Sequence, residues 1–506
     1  MSAAARSFMA LSICFAGPAW SVEALPLLGP HAVQMAEAPE YVEQASPRRM
    51  PLPPVTRGPD VAVYGYQAYW SNDLNTVPWD HLSHIALFNA GVTTGGSLTH
   101  LDRWDLAEAA VSMAEPYGVK VHLCITNFNS TELATLLGSA AARAALIDNL
   151  ADEVASTGAH GVNVDFEGLP SSQRENMVTF TRDLEARVGE VVLATPSVDW
   201  SDAWDYAALS DHADLFIMGY GYHWSGSDYA GPVDPLYGGD PWSKWSLSWT
   251  VDDYLEAGAD PKRVILGLPL YGYRWAVSSG SVPSSTTASG SAIVWASALE
   301  EAATHGRQFD EVSRTPYWYD GTRQGWYGDT DSLRERVQYA VDSGIGGIGF
   351  WALHYDDGDA SLWTMINEET VFPEEEEQPD DEVDPDYTAD AGRPFLAYVG
   401  DTVILSGAGS TGPAPLVYQW TQVAGPEVDL DDPSVMEPSF RVRHVGNLVF
   451  ELVVGDGESW SAPVRSYVVV LDPAAGRRYR NCATGPAAPP WIALIALTLL
   501  LRRRRR

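Results

Sequence analysis

The stretch of sequence that decides the fold is His160-Gly161-Val162-Asn163-Val164-Asp165-Phe166-Glu167-Gly168. Side chains alternate between the two faces of a β-strand. One face of this strand is therefore polar and the other apolar: Asn163, Asp165 and Glu167 oppose Val162, Val164 and Phe166. The apolar face predicts a strand that helices cover on that side, as in a parallel barrel. Because active sites of such barrels lie at the C-terminal ends of the strands, we expect the polar face to be functional.

The two carboxyl groups of this face suit acid–base chemistry. Two neighbouring negative charges are costly, so the pKa of one carboxyl rises and that group can keep its proton. Glu167, at the C-terminal end of the strand, is the candidate proton donor. The alternative is that Asp165 and Glu167 are solvated acids on an edge strand, the usual environment of such residues.

The surrounding sequence predicts an α/β fold, a (β/α)8 TIM barrel. From Val61 onward, short apolar strands alternate with helical stretches, which is typical of a parallel sheet. The eight predicted strands are residues 61–69, 85–92, 120–127, 161–167, 191–197, 215–220, 263–271 and 345–353. Apolar residues recur at helical spacing on both sides of the fourth strand, and we predict that they are core residues: Leu136, Ala140, Leu146, Leu150, Met177, Phe180, Leu184 and Val188. Residues 275–331 are too long for one helix and predict a small inserted subdomain beside the cleft.

The remaining sequence divides into segments of different character. Residues 1–24 resemble a secretory signal peptide, and residues 25–59 are predicted to be a Pro-rich linker. The barrel is predicted over residues 60–372, with an acidic linker over 373–389. Short alternating strands with Gly and Pro turns predict a β-sandwich over 390–472.

The C-terminal segment, residues 481–506, is predicted to be a membrane or sorting tail. It contains an apolar run that ends in five arginines, which predicts a cytoplasmic basic end. The apolar run is shorter than the roughly 17–25 residues of a full membrane span, so both a simple anchor and a processed sorting signal stay open.

Composition narrows the classes of function. A net charge of -36 argues against nucleic acid as a partner and fits a soluble extracellular protein. The three cysteines, Cys14, Cys124 and Cys482, lie in separate contexts and predict no disulfide framework. There is no ligand-spaced His/Cys cluster in the sequence, so we expect neither a metal nor an organic cofactor. The oligomeric state stays open.

The stretch His160–Gly168 resembles the Asp-Gly-x-Asp-x-Asp-x-Glu signature of glycoside hydrolase family 18, the chitinase-like enzymes. The last Asp and the Glu are present, whereas His160 and Asn163 replace the first two acids. The form Gly-Val-Asn-x-Asp-Phe-Glu is most similar to the spore-cortex and peptidoglycan-directed branch, the N-acetylglucosaminidase type. Asn127 stands where many chitinases have a Gly-rich turn, which also favours that branch. The resemblance covers about residues 61–367.

The resemblance implies roles for three catalytic residues. In substrate-assisted hydrolysis the N-acetyl carbonyl of the sugar attacks the anomeric carbon, so one protein acid is enough. Glu167 would protonate the leaving oxygen, Asp165 would hold the acetamide N–H, and Tyr220 would orient its carbonyl. Met218-Gly219-Tyr220-Gly221 resembles the Met-x-Tyr-Asp pattern of the family, with Gly221 in place of the Asp.

Further residues are predicted to bind the substrate. The last predicted strand resembles that of the family, in which a Trp lies beneath the sugar, and this implies that Trp351 is a stacking platform. Four aromatic residues at other strand ends line the cleft or belong to the core. The substrate-binding set is Trp351, Asn163, Met218, Asn127, Tyr66, Trp70, Trp224 and Trp275.

Two resemblances concern the C-terminal half. The runs that begin at Tyr418 and Leu448 resemble the polycystic-kidney-disease-type immunoglobulin-like module, a spacer or weak carbohydrate binder. The tail after Cys482 resembles the sorting tails of surface proteins in myxobacteria-like bacteria. They imply a protein that is secreted or anchored at a bacterial cell surface and meets the membrane through its tail.

Together these features predict an exported, retaining glycosidase. Its expected substrate is a polysaccharide with β-1,4 bonds next to N-acetylglucosamine, either chitin or peptidoglycan. One alternative is a catalytically impaired, lectin-like surface protein on the same barrel, for which Gly221 and His160 argue. The other is a structural or adhesion protein whose β-sandwich binds the cell wall. Exo and endo action stay open.

Overall fold

The computed structural model describes residues 30–36, 59, 61–71, 73–371, 386–392, 395–444, 446–457 and 459–471. The predicted signal peptide and C-terminal tail lie outside the described residues, as does most of the predicted acidic linker. No helix among the described residues is both long enough and apolar enough to cross a membrane.

The central element is a closed barrel of eight parallel strands. The strands are β1 (Ala62–Ala68), β2 (His84–Val92), β3 (Lys120–Asn127), β4 (Gly161–Phe166), β5 (Glu190–Pro196), β6 (Asp214–Met218), β7 (Val264–Pro269) and β8 (Gly347–Trp351). In sheet order β1 is followed by β8, β7, β6, β5, β4, β3 and β2, and pairing of β1 with β2 closes the barrel. The predicted (β/α)8 barrel is therefore confirmed, and each predicted strand overlaps an observed one.

Strand β4 has the two faces that its sequence predicts. All six of its residues are buried, since both its neighbours are parallel strands and both its faces are covered. Phe166 stacks on Phe180 of the next helix with ring centroids 6.0 Å apart. On the inner face, Asn163 donates its amide hydrogens to the hydroxyl groups of Tyr64 and Tyr66, at 3.2 and 2.8 Å. The polar face therefore points into the barrel.

Helices connect and cover the strands. The described α-helices after β1 are Ala107–Ala114, Ser130–Gly138, Ala140–Thr157, Arg174–Val188, Tyr206–Ser210, Leu247–Glu256, Trp295–His305, Thr330–Asp342 and Ala360–Thr370. Short 3-10 helices are Tyr69–Ser71, Leu74–Thr76, Trp79–His81, Leu101–Trp104, Glu115–Tyr117, Ser171–Gln173 and Pro261–Arg263. The helical pattern before β4 belongs to two helices, because Ser139 is non-helical and caps the second one by accepting a hydrogen bond from the Ala142 N–H. The prediction that Ala140 is a core residue is wrong, since Ala140 is exposed at the start of the second helix.

The insertion between β7 and β8 is a small antiparallel subdomain. Its sheet begins at Tyr271, earlier than the predicted start at Trp275, because Tyr271–Ala276 pairs with two later strands. In sheet order the five strands are Ser291–Val294, Tyr271–Ala276, Arg323–Trp326, Thr315–Tyr319 and Gln308–Asp310. Two-residue strands elsewhere are Leu98–Thr99, which pairs with the end of β2, and the pair Tyr229–Ala230 with Ser284–Ser285.

The C-terminal unit consists of two small sheets around a core of its own. The four-stranded sheet has the order Phe395–Tyr398, Val464–Leu471, Gly446–Gly455, Val417–Ala424, and the two-stranded sheet pairs Thr402–Ile404 with Ser439–Arg441. Trp420, Phe440 and Phe450 lie in the shared apolar core. The strands agree with an all-β unit, whereas its immunoglobulin-like identity stays a prediction.

Residues 30–36 depart from the sequence prediction. A Pro-rich linker is predicted here, but these residues form a short helix in which His31, Ala32 and Gln34 are buried. The segment is too short to show periodicity, and its contacts are to residues far along the chain, so local sequence could not reveal it.

A buried ion pair fixes the loop that follows β6. Arg336 donates to the Asp234 carboxylate at 2.7 Å and also to the carbonyl oxygens of Asp234, Arg314 and Ser332. Burial raises the pKa of Asp234, and the Arg336 charge opposes that rise. The guanidinium therefore holds the loop against the helix Thr330–Asp342.

We predict that Arg336→Met lowers the free energy of unfolding by about 3–5 kcal/mol, because it leaves the Asp234 charge buried without its partner. The double variant Arg336→Met/Asp234→Asn should lose less than the sum of the two single changes. Urea unfolding followed by tryptophan fluorescence measures all four proteins. Strictly additive losses would contradict a direct coupling between the two side chains.

Candidate active site

The two acidic residues of the β4 stretch lie at the mouth of the barrel, at its C-terminal end. Asp165 is fully buried and Glu167 is 4% exposed. The Glu167 N–H donates to the carbonyl of Asn127 at 3.2 Å, which extends the β3–β4 pairing by one residue. The strand therefore delivers both carboxyl groups to one place.

Burial raises the pKa values of both carboxyl groups. It raises the pKa of Asp165 well above its usual value. It also raises the pKa of Glu167, to about 8, with a further contribution from the nearby Asp165 charge. Hydrogen bonds from the backbone N–H groups of His31 and Ala32 oppose this rise. Glu167 is therefore suited to carry a proton at neutral pH, as a general acid must.

Two aromatic residues, Trp351 and Tyr220, lie beside the two carboxyl groups. Trp351, the last residue of β8, is fully buried, and its ring lies edge-on to Phe88 at 4.8 Å. Tyr220 follows the end of β6 and is also fully buried. We call the space bounded by Trp351, Asp165, Glu167 and Tyr220 the ring site, because one planar ring occupies it.

That ring is the imidazole of His31. It stacks on Trp351 with centroids 3.8 Å apart and planes inclined by 24°. Its Nδ1 lies 2.8 Å from Asp165 Oδ2, and its Nε2 lies 2.5 Å from the Tyr220 hydroxyl. Burial lowers the pKa of His31 to about 3, so the imidazole is neutral. A neutral ring with Nδ1–H donating to Asp165 and Nε2 accepting from Tyr220 satisfies both contacts.

The backbone of the same segment binds the candidate acid. The N–H of His31 donates to Glu167 Oε1 at 2.7 Å, and the N–H of Ala32 donates to Oε2 at 3.0 Å. Asp165 Oδ1 and Asn163 Oδ1 are buried and have no hydrogen-bond partner within the described part of the chain. One polar atom of Asp165 is therefore available to another group.

Most predicted site residues lie at or beneath the ring site. Tyr66 lies edge-on to His31 at 5.1 Å, and Asn163 binds the Tyr66 hydroxyl below it. Trp70 lies edge-on to Trp351 at 6.2 Å. Met218 is the buried last residue of β6, two positions before Tyr220.

Three predicted substrate-binding residues have other contacts. Asn127 donates to the carbonyl of Val92 and to Glu132, at 3.0 and 3.1 Å, and so orders the loop after β3. Trp275 is fully buried in the insertion, and its indole N–H donates to the Trp224 carbonyl at 3.2 Å. The described contacts of these residues support the loops around the cleft, and their binding of a glycan stays a prediction.

The backbone conformation explains why position 221 has a glycine where the family resemblance implies an aspartate. Gly221 has a φ of +81°, a conformation that residues with side chains rarely adopt. A Cβ there would lie 3.6 Å from Pro30, an ordinary contact, so space alone does not exclude a side chain. An aspartate at this position would be strained by the backbone conformation.

Three residues of the site, His31, Gln34 and Tyr273, were not predicted from the sequence. Gln34 accepts from the Trp351 indole N–H at 3.3 Å and donates to the Tyr273 hydroxyl at 3.5 Å. A proline at the start of a short apolar run was the one local signal for the helix. The two contacts of Gln34 join residues 317 and 239 positions apart, so they leave no local pattern.

Among the described residues, two groups of side chains bring possible metal ligands within 4.8 Å of one another. One is His31 with Asp165 and Glu167, and the other is His84, His122 and Glu190. In the second group Glu190 accepts hydrogen bonds from His122, at 3.2 Å, and from Lys120. Burial alone would raise the pKa of Glu190, but these bonds outweigh it and lower that pKa to about 2. This second group therefore has the character of a polar network at the N-terminal end of the barrel.

Known structures share this fold. A group IV chitinase of Ostrinia furnacalis, in complex with allosamidin, is 19% identical, with a TM-score of 0.56 over 61% of this chain and 98% of that one. A chitinase of Cycas revoluta, in complex with (GlcNAc)3, is 21% identical, with a TM-score of 0.55 over 61% and 99%. At these identities the likeness concerns the fold.

Curated relatives include two bacterial proteins. A protein of Bacillus subtilis, provisionally named a sporulation-specific glycosylase, is 28% identical over 54% of this chain and 66% of its own length. The cortical fragment-lytic enzyme of Bacillus cereus is 22% identical over 45% of this chain and 54% of its own length. The match thus spans less than two thirds of either relative.

The family assignment rests on the segment that forms the barrel. Residues 62–356, more than half of the chain, match the model of glycosyl hydrolases family 18. This segment contains all eight barrel strands, from Ala62 at the start of β1 to beyond Trp351 at the end of β8. The chain therefore belongs to glycosyl hydrolase family 18.

Proposed function

We propose that this chain is a retaining glycosidase that hydrolyses β-1,4 bonds next to N-acetylglucosamine, in chitin or in peptidoglycan glycan strands. The main observation in support of the proposal is the position of the His31 imidazole ring. The His31 imidazole lies on Trp351 while it touches Asp165 and Tyr220, and the backbone N–H of His31 reaches Glu167. A sugar ring in this position would meet the same four groups.

The proposed reaction begins with cleavage of the glycosidic bond. Glu167 gives its proton to the leaving oxygen, and the bond between that oxygen and the anomeric carbon breaks. The acetamide carbonyl oxygen of the same sugar forms a new bond to the anomeric carbon, which yields an oxazolinium ion. The leaving chain departs as an alcohol.

Asp165 and Tyr220 would position the acetamide. Asp165 has one oxygen without a partner in the described residues, which suits it to accept from the acetamide N–H. The Tyr220 hydroxyl lies 2.5 Å from a ring nitrogen of His31, so it is placed to donate to an acetamide carbonyl in the same position. Preorganised groups of this kind stabilise the charge that develops in the transition state.

The second step releases the sugar. Water attacks the anomeric carbon, opens the oxazolinium ring and loses a proton to Glu167, which restores the acid. Attack by the acetamide and then by water inverts the anomeric carbon twice, so its configuration is retained. Trp351 would hold the apolar face of the sugar through both steps.

The family and its relatives support the substrate class. Chitinases share the fold, and one bacterial relative is named a cortical fragment-lytic enzyme. The lectin-like alternative is less well supported, because Asp165, Glu167 and Tyr220 all meet at one site. We also propose that the protein is exported and acts outside the cell or at its surface, on the strength of residues 1–24 and 481–506, with the C-terminal β unit as a spacer or weak glycan binder.

Glu167→Gln should lower the release of reducing ends at least about 100-fold, because it removes the proton donor. Tyr220→Phe should lower it by about 100-fold through loss of one positioned hydrogen bond. The assays use chitin oligosaccharides and purified peptidoglycan, with the exposed Glu175→Gln as a matched control. Because residues 30–36 cover the ring site, the assays are run both on the intact chain and on a form in which these residues are replaced by Gly and Ser. Glycan binding without release in every protein would favour the lectin-like alternative.

The raised pKa of Glu167 predicts a pH dependence of stability. Its pKa is about 8 in the folded protein against 4.5 for an unperturbed Glu, so the folded state binds the proton more tightly. The free energy of unfolding should then fall as pH rises between those two values, by at most about 1.4 kcal/mol per pH unit for this group. Glu167→Gln should flatten the curve there. An unchanged slope in urea titrations across this range would contradict the perturbed pKa.

Export predicts that antibody detection after cell fractionation finds the protein in the medium or at the cell surface. Removal of residues 1–24 should retain it in the cytoplasm. Recovery of the full chain from the cytoplasm alone would contradict export.

A further inference from the structure

The helix of residues 30–36 is buried where a substrate would have to bind. His31 is fully buried, Gln34 is 1% exposed and Ala32 is 8% exposed, whereas Ala36 is exposed. Extensive burial of polar residues is unusual for a linker, since unpaired polar groups are costly to bury. The barrel therefore supplies partners for this segment.

These partners are the groups that the proposed reaction uses. Both oxygens of Glu167 accept backbone N–H groups of the segment. Asp165 Oδ2 and the Tyr220 hydroxyl are bound to the two nitrogens of His31. The face of Trp351 is covered by the His31 ring. With the segment in place, a sugar can reach neither the stacking platform nor the acid.

A second residue of the segment extends this contact. The side-chain amide of Gln34 accepts from the Trp351 indole and donates to Tyr273. Met35 lies beside Asn89, whose side-chain amide is 3.7 Å from the sulfur. The segment thus binds the ring site through an aromatic ring and an adjacent amide, the two kinds of contact that suit an N-acetylated sugar.

We propose that residues 30–36 are an autoinhibitory segment, which occupies the ring site of its own barrel and must leave before a glycan binds. This inference rests on the proposed function, because inhibition requires that the ring site be the glycan site. The segment is a competitor of the substrate, joined to the barrel through the chain, and its displacement switches the enzyme on.

Covalent attachment makes such a competitor effective. A tethered ligand competes at an effective concentration that reaches about the millimolar range for short flexible linkers. The apparent affinity for a glycan falls in proportion to the fraction of molecules whose site is open. If the segment is seated in about nine molecules of ten, its release should tighten glycan binding about tenfold.

The test measures binding of a sulfur-linked analogue of (GlcNAc)3, which resists hydrolysis, by calorimetry in the full chain with Glu167 unaltered, because Glu167 itself binds the segment. His31→Asp should release the segment, because it brings a third carboxyl group against the other two of the ring site. Ala36→Asp is the matched control, since it introduces the same side chain at an exposed position of the same helix. We expect His31→Asp to raise the affinity for the sugar at least about tenfold and Ala36→Asp to leave that affinity unchanged. Equal affinity in all three proteins would overturn the inference.

Hydrogen–deuterium exchange tests the segment without any sugar. The N–H groups of residues 31 and 32 donate to Glu167, so their protection from exchange depends on the segment staying in the ring site. We expect slow exchange of both in the unaltered chain and fast exchange in His31→Asp. Fast exchange in the unaltered chain would overturn the inference.

The two measurements separate the possible failures. Slow exchange with equal sugar affinity would reject autoinhibition and leave the proposed function standing. Slow exchange that His31→Asp releases, with no sugar bound by any variant, would reject the proposed function, and the inhibitory role with it.

Discussion

The burial of two carboxyl groups in one barrel mouth is the constraint on which the rest of the site depends. Asp165 and Glu167 lie too deep for water to stabilise their charges, so each must keep a proton or receive hydrogen bonds. The raised pKa values of both groups show this cost. The same desolvation that destabilises a carboxylate makes Glu167 a usable acid, and it also favours N–H donors beside the Glu167 oxygens, such as those of residues 31 and 32.

Most of the barrel could be predicted from the sequence because its signals are local. Strand β4 has a polar face opposite an apolar one, and the eight strands recur at the spacing of a (β/α)8 fold. Predictions that depended on boundaries were less accurate. A single non-helical residue, Ser139, divides a helical pattern in two, and the insertion begins at Tyr271 because the strand there pairs with the much later Arg323–Trp326.

The candidate active site was predictable in part. Glu167, Asp165, Tyr220 and Trp351 were inferred from short motifs near strand ends, and the fold brings all four together. Local sequence could not assign the aromatic residues, because Trp275 and Trp70 have the same kind of neighbours along the chain and different neighbours in space. The position of residues 30–36 in the ring site could not be predicted for the same reason, because the described contacts of the segment are to distant parts of the chain.

The most direct test of the central claim is a crystal structure of the Glu167→Gln variant with (GlcNAc)3. We predict that one sugar ring stacks on Trp351 in the position of the His31 imidazole, with its acetamide between Asp165 and Tyr220, and that residues 30–36 have left the barrel. A trisaccharide bound elsewhere, with His31 still on Trp351, would contradict both the proposed site and its inhibition.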